Sequence, residues 1–512
     1  MQNAEARSSV GLLRDARRAL RAGWYDEALS LLEGCEDWPS DLVERAAVLK
    51  AETLGRRDPG AALAYLTAVD DLFVSIDGCF AREIEGGRFQ AATRDFEAAA
   101  ARYGAARALA ASVPHGVATM AYHDLRMRWF RRECEGSFGE AELALAHPDP
   151  SIVAGAFAYR GWLHAGRGEY RAQIADFRSA LDCTATDGEP IDVATLAMTT
   201  HALARVAFEV ADDEGIEAAR SALETIPWTP VFDVERFGTL RALGWDAFMR
   251  GQPGSAQWAF KDARTIAPSD AWRVMSHVDR AYVARYAGNE AWAIEELAHA
   301  DRLARGVQWE STFGEERQAL VMLAVLCAPF DAVRAQRYAA RYAQLGVENV
   351  NPAFAIASDR RTVAAARYAQ GLIDMTLGRR DIAVPALREA YEIYSSAGHH
   401  YRAALAATAL AESTGEERWR ASCRAHASRY PDCPLSAIAD APASDEAVPA
   451  ELTPFQRRLA RALWKGADDA ELSQRFSRSL YTIERQTAAI LRAFGVQTRA
   501  ELLALARREQ LS

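Results

Sequence analysis

The stretch LGWDAFMRGQPGSAQWAFKDARTIAP, residues 243 to 268, decides how this chain is read. Gly244 lies in its first half, Gly251 at its middle, and Ala256, Phe260 and Ala263 follow at helical spacing before Pro268. Two antiparallel helices joined at Gly251 satisfy the pattern. Small residues let the helices approach, Phe260 fills the space between them, and glycine supplies the turn.

The same frame recurs along the first four hundred residues. It appears as Gly23, Tyr25, Ala28; as Gly87, Phe89, Ala92, Phe96; as Gly136, Phe138, Ala141, Leu145; and as Gly168, Tyr170, Phe177, with Gln173 in place of Ala. Later copies keep the spacing without the aromatic: Gly288, Ala293, Leu297, and Gly378, Ala383, Leu387. In each the glycine is expected to mark the turn. A single hairpin cannot bury both its faces, so the units must stack into a solenoid. The pattern resembles the tetratricopeptide repeat, W-x2-L-G-x2-Y, then A-x3-F, then P. The unit quoted above fits best, and Gly371, Gly378, Ala383, Leu387 and Ala390 form a second. All of these residues are read as core packing. A solenoid of this kind offers a long concave surface to a protein or peptide partner rather than a reaction centre.

Little in the 512 residues suggests catalysis. The three lysines, Lys50, Lys261 and Lys465, follow Leu49, Phe260 and Trp464, so no Gly-Lys-Ser/Thr phosphate loop exists. Neither a G-x-S-x-G elbow nor an H-E-x-x-H zinc helix occurs. The expectation is a protein that is not an enzyme and carries no cofactor. Cys423, His426 and Cys433 provide three possible ligands where a structural zinc site needs about four, so no metal is expected. The seven scattered cysteines fit reduced thiols packed as small hydrophobes. Asp212, Asp213 and Glu214 read as a solvated loop, and His399 and His400 as exposed turn residues. The longest apolar run, residues 320 to 330, is far shorter than the ~20 residues a membrane span needs and reads as a buried helix. Nor do the first thirty residues read as a signal peptide, and a cytoplasmic location without membrane contact is expected.

Three parts are expected: a repeat domain over residues 1–430, a flexible linker over 431–450, and a small terminal domain over 451–512. The linker text PDCPLSAIADAPASDEAVP breaks any helical period with four prolines. Beyond it, Thr453, Pro454 and Gln456 open a helix that Gly466 closes. Asp468 and Glu471 cap a second helix running to Phe476, Ser479 starts a third that stops at Gly495 and Val496, and Thr498 with Glu501 opens a fourth. Leu459, Leu463, Leu472, Phe476, Ile483, Ile490, Leu491, Phe494, Leu502 and Leu505 take inward spacings. Residues 451–512 hold eleven Arg and Lys against seven Asp and Glu, a net of +4, which leaves −14 on the first 450 residues of a chain whose total is −10.

This terminal stretch is similar to the LuxR-type helix-turn-helix of bacterial transcription regulators. It keeps Leu452-Thr453-Pro454, Gly466, Glu471, Thr482-Ile483, Ile490-Leu491, Gly495-Val496 and Arg499 through Glu501-Leu502. The resemblance implies an all-α chain in which the third helix of the domain enters DNA. Thr453, Ser479, Tyr481, Thr482, Glu484, Arg485, Gln486, Ala488, Ala489, Arg492 and Arg499 would then lie at or near a promoter. Leu502, Leu503 and Ala506 would lie at or near a seam between two subunits. Departures concern base choice: Gln456 and Arg458 stand where the family usually has acids, Glu484 where it often has a basic residue, and Gln486 in place of a frequent His. On a helical wheel Ile483, Thr487, Ile490, Leu491 and Phe494 face inward, while Tyr481, Thr482, Arg485, Ala488, Ala489 and Arg492 face outward with Glu484 on the flank. The resemblance implies a transcription regulator that binds double-stranded DNA as a homodimer. The competing reading is an interaction scaffold whose last domain has drifted from DNA.

Overall fold

In the computed structural model the chain is all-α, with no strand among the described residues. The structure describes residues 8–34, 38–131, 133–185, 190–287, 289–312, 314–328, 331–345, 360–376, 378–430, 432–435, 452, 454–464, 466–476 and 480–508. It is a tetratricopeptide-like solenoid followed by a four-helix domain. Two compact units emerge: residues 1–206 with 214–239, and residues 207–213 with 240–512.

The first unit contains α1 (Ser9–Arg21), α2 (Tyr25–Glu33), α3 (Val43–Gly55), α4 (Pro59–Ala68), α5 (Ile76–Ala92), α6 (Phe96–Leu109), α7 (Gly116–Arg131), α8 (Gly139–Leu145), α9 (Pro150–Arg167) and α10 (Tyr170–Asp182). Helix α11 (Val193–Val210) passes into the second unit at Ala207, and α12 (Asp213–Thr225) belongs almost wholly to the first. Odd and even neighbours from α1 to α10 pack as antiparallel hairpins. Acidic caps start several of them: the Asp58 carboxylate accepts the Ala61 amide at 3.0 Å ahead of Pro59 and Gly60, and Asp149 accepts Ser151 at 2.9 Å across Pro150. The coil returns on itself. Leu13, Leu20, Leu32 and Leu49 share one core with Val193, Ala197, Ala222, Ile226 and Phe232.

Helix α13 (Asp233–Met249) enters the second unit at Leu240, and that unit continues with α14 (Pro253–Thr265), α15 (Asp270–Tyr286), α16 (Glu290–Ala304), α17 (Gly314–Cys327), α18 (Ala332–Leu345), α19 (Arg360–Thr376), α20 (Arg380–Ser396), α21 (His400–Thr414) and α22 (Glu417–Ala427). The apolar run at residues 320–328 is buried within and just beyond α17, as its sequence suggested. Among the described residues no helix is long and apolar enough to cross a membrane. This unit also closes: the Tyr430 hydroxyl donates to the Phe208 carbonyl at 2.8 Å, and the Phe208 ring lies 5.6 Å from that of Tyr401.

One contact repeats through both units. A Cβ built on Gly87, Gly161 or Gly244 would lie 2.7, 2.7 or 2.6 Å from the ring of Tyr103, Phe177 or Phe260, and on Gly371 it would lie 2.6 Å from Leu387. In every case the two partners are sixteen positions apart. A glycine on the first helix of a hairpin therefore receives the large side chain of the second. This corrects the frame at Gly87, which sits inside α5 instead of at a turn. Arg94, with φ of 67°, makes that turn, whereas Gly23, Gly136, Gly168, Gly251 and Gly378 do hold positive φ where turns were expected.

Two local expectations fail, at His399 and at the start of the linker. His399 is fully buried against the Glu209 carboxylate instead of exposed, because its turn is covered by the returning end of α11. Asp213 and Glu214 are exposed, as their sequence suggested, and pair there with Arg250 at 2.5 Å and with Arg178. The first residues of the expected linker are packed, with Cys433 and Leu435 buried. The six described cysteines form no disulfide among the described residues.

His400 Nδ1 stands 3.0 Å from His426 Nδ1. Burial first, then the neighbouring His426, Arg429 and His399, pushes the His400 imidazole down to about 4. A folded value below the unfolded one means that acid favours the unfolded chain, so stability is lost as pH falls from about 6.5 towards 4. Replacing His400 with Asn should flatten this part of a stability-versus-pH curve by on the order of 1–2 kcal/mol, measured by denaturant melts at pH 7 and 5. Gly244→Ala should destabilise the chain by about 1–3 kcal/mol despite its better helix propensity, because the Phe260 ring has nowhere to move.

Candidate nucleic-acid interface and the inner faces of the repeats

The terminal domain is built from α23 (Pro454–Trp464), α24 (Asp469–Phe476), α25 (Leu480–Ala493) and α26 (Arg499–Arg508). Leu452, Leu459, Leu463, Trp464, Leu472, Ile483, Ile490 and Leu502 form its core, with Leu491, Phe494 and Val496 packed at the edge. The helix ends follow the sequence signals. The Asp468 carboxylate accepts the Glu471 amide at 2.8 Å, and Gly466 and Gly495 take positive φ. Val496 donates back to the Leu491 carbonyl at 3.0 Å, which closes α25 with the glycine cap. At α26 the Thr498 hydroxyl accepts the Glu501 amide, while the Glu501 carboxylate accepts from Gln497, one residue earlier than a capping box would place it.

Helix α25 divides cleanly between two faces. Ile483, Thr487 and Ile490 are buried, whereas Tyr481, Glu484, Arg485, Ala488 and Arg492 are exposed. Thr482, Gln486 and Ala489 are half-buried. Neither Arg485 nor Arg492 is held in an ion pair among the described residues. Two of the proposed contacts also serve the domain itself. Gln456 Nε2 donates to Gln486 Oε1 at 2.9 Å, which ties α23 to α25. Arg499 ion-pairs with Asp469 and donates to the Thr487 hydroxyl at 3.3 Å, which links α24, α25 and α26. Leu502 is fully buried in the domain's own core, and Leu503 is half-buried. Thr453, Ser479 and the side chain of Ala506 lie outside the described residues.

The inner helices of the second repeat unit meet through aromatic rings. Trp245 of α13 lies 5.0 Å from Tyr282 of α15 and 5.5 Å from Tyr401 of α21, and Tyr282 stacks on Tyr286 at 4.6 Å. Asp279, fully buried among them, accepts from Arg241 Nε at 2.5 Å and from Trp245 Nε1 at 3.2 Å. Trp245, Tyr282 and Tyr401 bury one another, and Tyr286 and Tyr368 remain half-buried. The first unit presents a charged interior instead. Arg56 donates to Asp192 at 2.7 Å, and Arg88 reaches Glu85 at 2.5 Å and Glu52 at 3.4 Å.

Among solved structures the chain is similar to the apo form of the quorum sensor NprR from B. thuringiensis, at 12% identity and a TM-score of 0.45, over 75% of this chain and 98% of that one. It is also similar to the APC/C hetero-tetramer Cut9–Hcn1, at 12% identity and a TM-score of 0.26, over 97% and 96%. No family model and no curated protein matches the chain.

Sequence periodicity located the faces of α25 but not the interior of the first unit. Arg88 and Arg126 look like ordinary solvated positions until the coil closes around them, and neither belongs to a motif. The linking role of Arg499 is likewise visible only in three dimensions. Arg499→Gln should lower the stability of the terminal domain by roughly 1 kcal/mol, the scale of a partly exposed ion pair with an added hydrogen bond. Circular-dichroism melts of the variant and the wild type would check this.

Proposed function

We propose that this chain is a DNA-binding transcription regulator of the bacterial cytoplasm. Its repeat units dock a protein or peptide partner, and its terminal domain binds promoter DNA as a dimer. The observation that carries the reading is the two-faced α25: three buried residues anchor it, while Arg485, Ala488 and Arg492 stand exposed on a domain of net charge +4. A helix of that width fits the major groove of B-DNA, and small side chains such as Ala488 permit close approach to base edges. The resemblance of residues 452–503 to LuxR-type domains supports the same assignment. Catalysis has no part in this proposal.

Arg485 lies near the centre of the exposed face, where a guanidinium can fork onto the O6 and N7 of a guanine. Arg492, two turns further on, is placed for a phosphate. Glu484 on the flank either accepts from a cytosine amino group or repels the backbone, which lowers affinity and excludes wrong registers. The buried position of Leu502 leaves the outer side of α26 around Leu503 as the part able to meet a second subunit. The competing reading, an interaction scaffold with a drifted terminal domain, rests on the exposed Glu484.

Selection of bound fragments from random genomic DNA with the purified protein, followed by binding curves at two salt concentrations, tests the proposal. Arg485→Ala should cost about 1–3 kcal/mol at one base position per half-site. Arg492→Ala should weaken all sequences alike and reduce the salt slope by about one. Glu484→Lys should raise affinity and blunt specificity. A wild-type protein that prefers no sequence over a scrambled duplex would favour the scaffold.

A further inference from the structure

In the charged interior of the first unit one arginine has no carboxylate partner among the described residues. Arg56 at the end of α3, Arg88 in α5 and Arg126 in α7 belong to the first helices of three successive hairpins. The first two have carboxylate partners. Arg126 has none among the described residues. Its guanidinium lies against the rings of Phe130, at 5.4 Å, and Tyr159, at 5.9 Å, and its Nε is buried without a hydrogen-bond partner. Arg126 is half-buried, so the position is not sealed from solvent.

Around it other donors are left over. The Tyr103 hydroxyl, at a residue 3% exposed, and Arg88 Nε, at a residue 9% exposed, are buried and have no hydrogen-bond partner. His123 Nδ1, at a residue 5% exposed, shares that condition. The His123 ring lies 5.6 Å from that of Tyr103 and 4.9 Å from that of Tyr122. Glycines make room for this arrangement, since a Cβ on Gly87 would meet the Tyr103 ring at 2.7 Å and one on Gly155 the Tyr122 ring at 2.7 Å.

Buried polar groups are paired in most proteins, and an uncompensated buried charge is strongly destabilising. Against these donors the one spare acidic acceptor named among them, Glu85 Oε2, already lies 2.5 Å from Arg88, so Arg126 itself has no acceptor with negative charge among the described residues. A neutral or cationic occupant would leave Arg126 uncompensated. The planar fork of arginine matches carboxylate and phosphate oxygens. We propose that the interior of the first repeat unit holds an oxyanion, a carboxylate or phosphate group, on the Arg126 guanidinium, with Tyr103 and Arg88 as neighbouring donors. Burial, together with Arg126 and Arg88, pushes the His123 imidazole down and keeps it neutral. Burial also pushes the Glu85 carboxyl up to about 7, so Glu85 is a weak counter-charge near neutral pH. The site stands independently of whether the terminal domain binds DNA.

The test uses the full chain and two probes, inorganic phosphate and a tetraglutamate peptide, each against sodium chloride of equal ionic strength. Thermal melts should show a saturable rise of several degrees with at least one probe. A rise with phosphate assigns a free ion, and a rise with the peptide alone assigns a carboxylate delivered by a protein. Arg126→Met should abolish the rise and also melt higher than the wild type in chloride, because it deletes the unpaired cation. Tyr103→Phe keeps the ring, removes only the hydroxyl, and should shrink the rise without lowering the melting point in chloride; it decides the matter if the first variant does not fold. A wild type that melts alike in phosphate, peptide and chloride overturns the proposal, as does either variant responding in full.

Discussion

Everything in the repeat region depends on two helices coming close enough for a large side chain to sit against a bare backbone. Gly161 with Phe177, Gly244 with Phe260 and Gly371 with Leu387 repeat this contact at one sequence interval. The interval sets both the length of the first helix and the length of the turn. If the glycine carried a methyl group, the second helix would have to move outward, and the next hairpin would lose the surface on which it stacks. The solenoid is thus a one-dimensional propagation of a local steric rule.

That rule specifies contacts within a hairpin but not how far the coil turns per unit. The turning brings Leu13 and Leu20 into one core with Val193 and Ile226, and Tyr430 onto Phe208. Closure gives each unit an interior, and the interior has a chemical character that an open solenoid would leave to solvent. In the second unit the facing positions are Trp245, Tyr282 and Tyr401, which bury well and place one carboxylate, Asp279, among donors. In the first they are arginines and acids, which must be matched one against another. The two interiors differ because the same structural positions carry different side chains, not because the fold changes.

The hairpins were legible because glycine, alanine and a large apolar residue at fixed spacing leave few alternatives. The terminal domain was more legible still: the signals at Asp468, Gly466 and Gly495 are local, and each produced the helix end it announced. What escaped depended on distant parts of the chain. His399 looked like an exposed turn residue because nothing nearby in sequence says that Glu209 will cover it. Gly87 looked like a turn because its neighbours Phe89 and Ala92 imitate the second-helix pattern, while the true partner, Tyr103, lies one helix further on. Cys433 and Leu435 were hidden by the prolines around them, which mark the end of a helix without saying whether the chain then leaves the surface.

On the terminal domain the same division separates what holds the fold from what is free to act. Gln486 and Arg499 look like surface polar residues in sequence, yet they bond Gln456, Asp469 and Thr487 and so fix how the helices cross. Arg485 and Arg492 make no such bonds among the described residues, although their chemistry is the same. An exposed arginine without a partner gains little for the folded state and keeps its side-chain entropy. That leaves its guanidinium available to any anionic surface that approaches α25. Arg126 in the first unit is the half-buried counterpart: a cation with no carboxylate partner among the described residues, whose Nε is shielded from water.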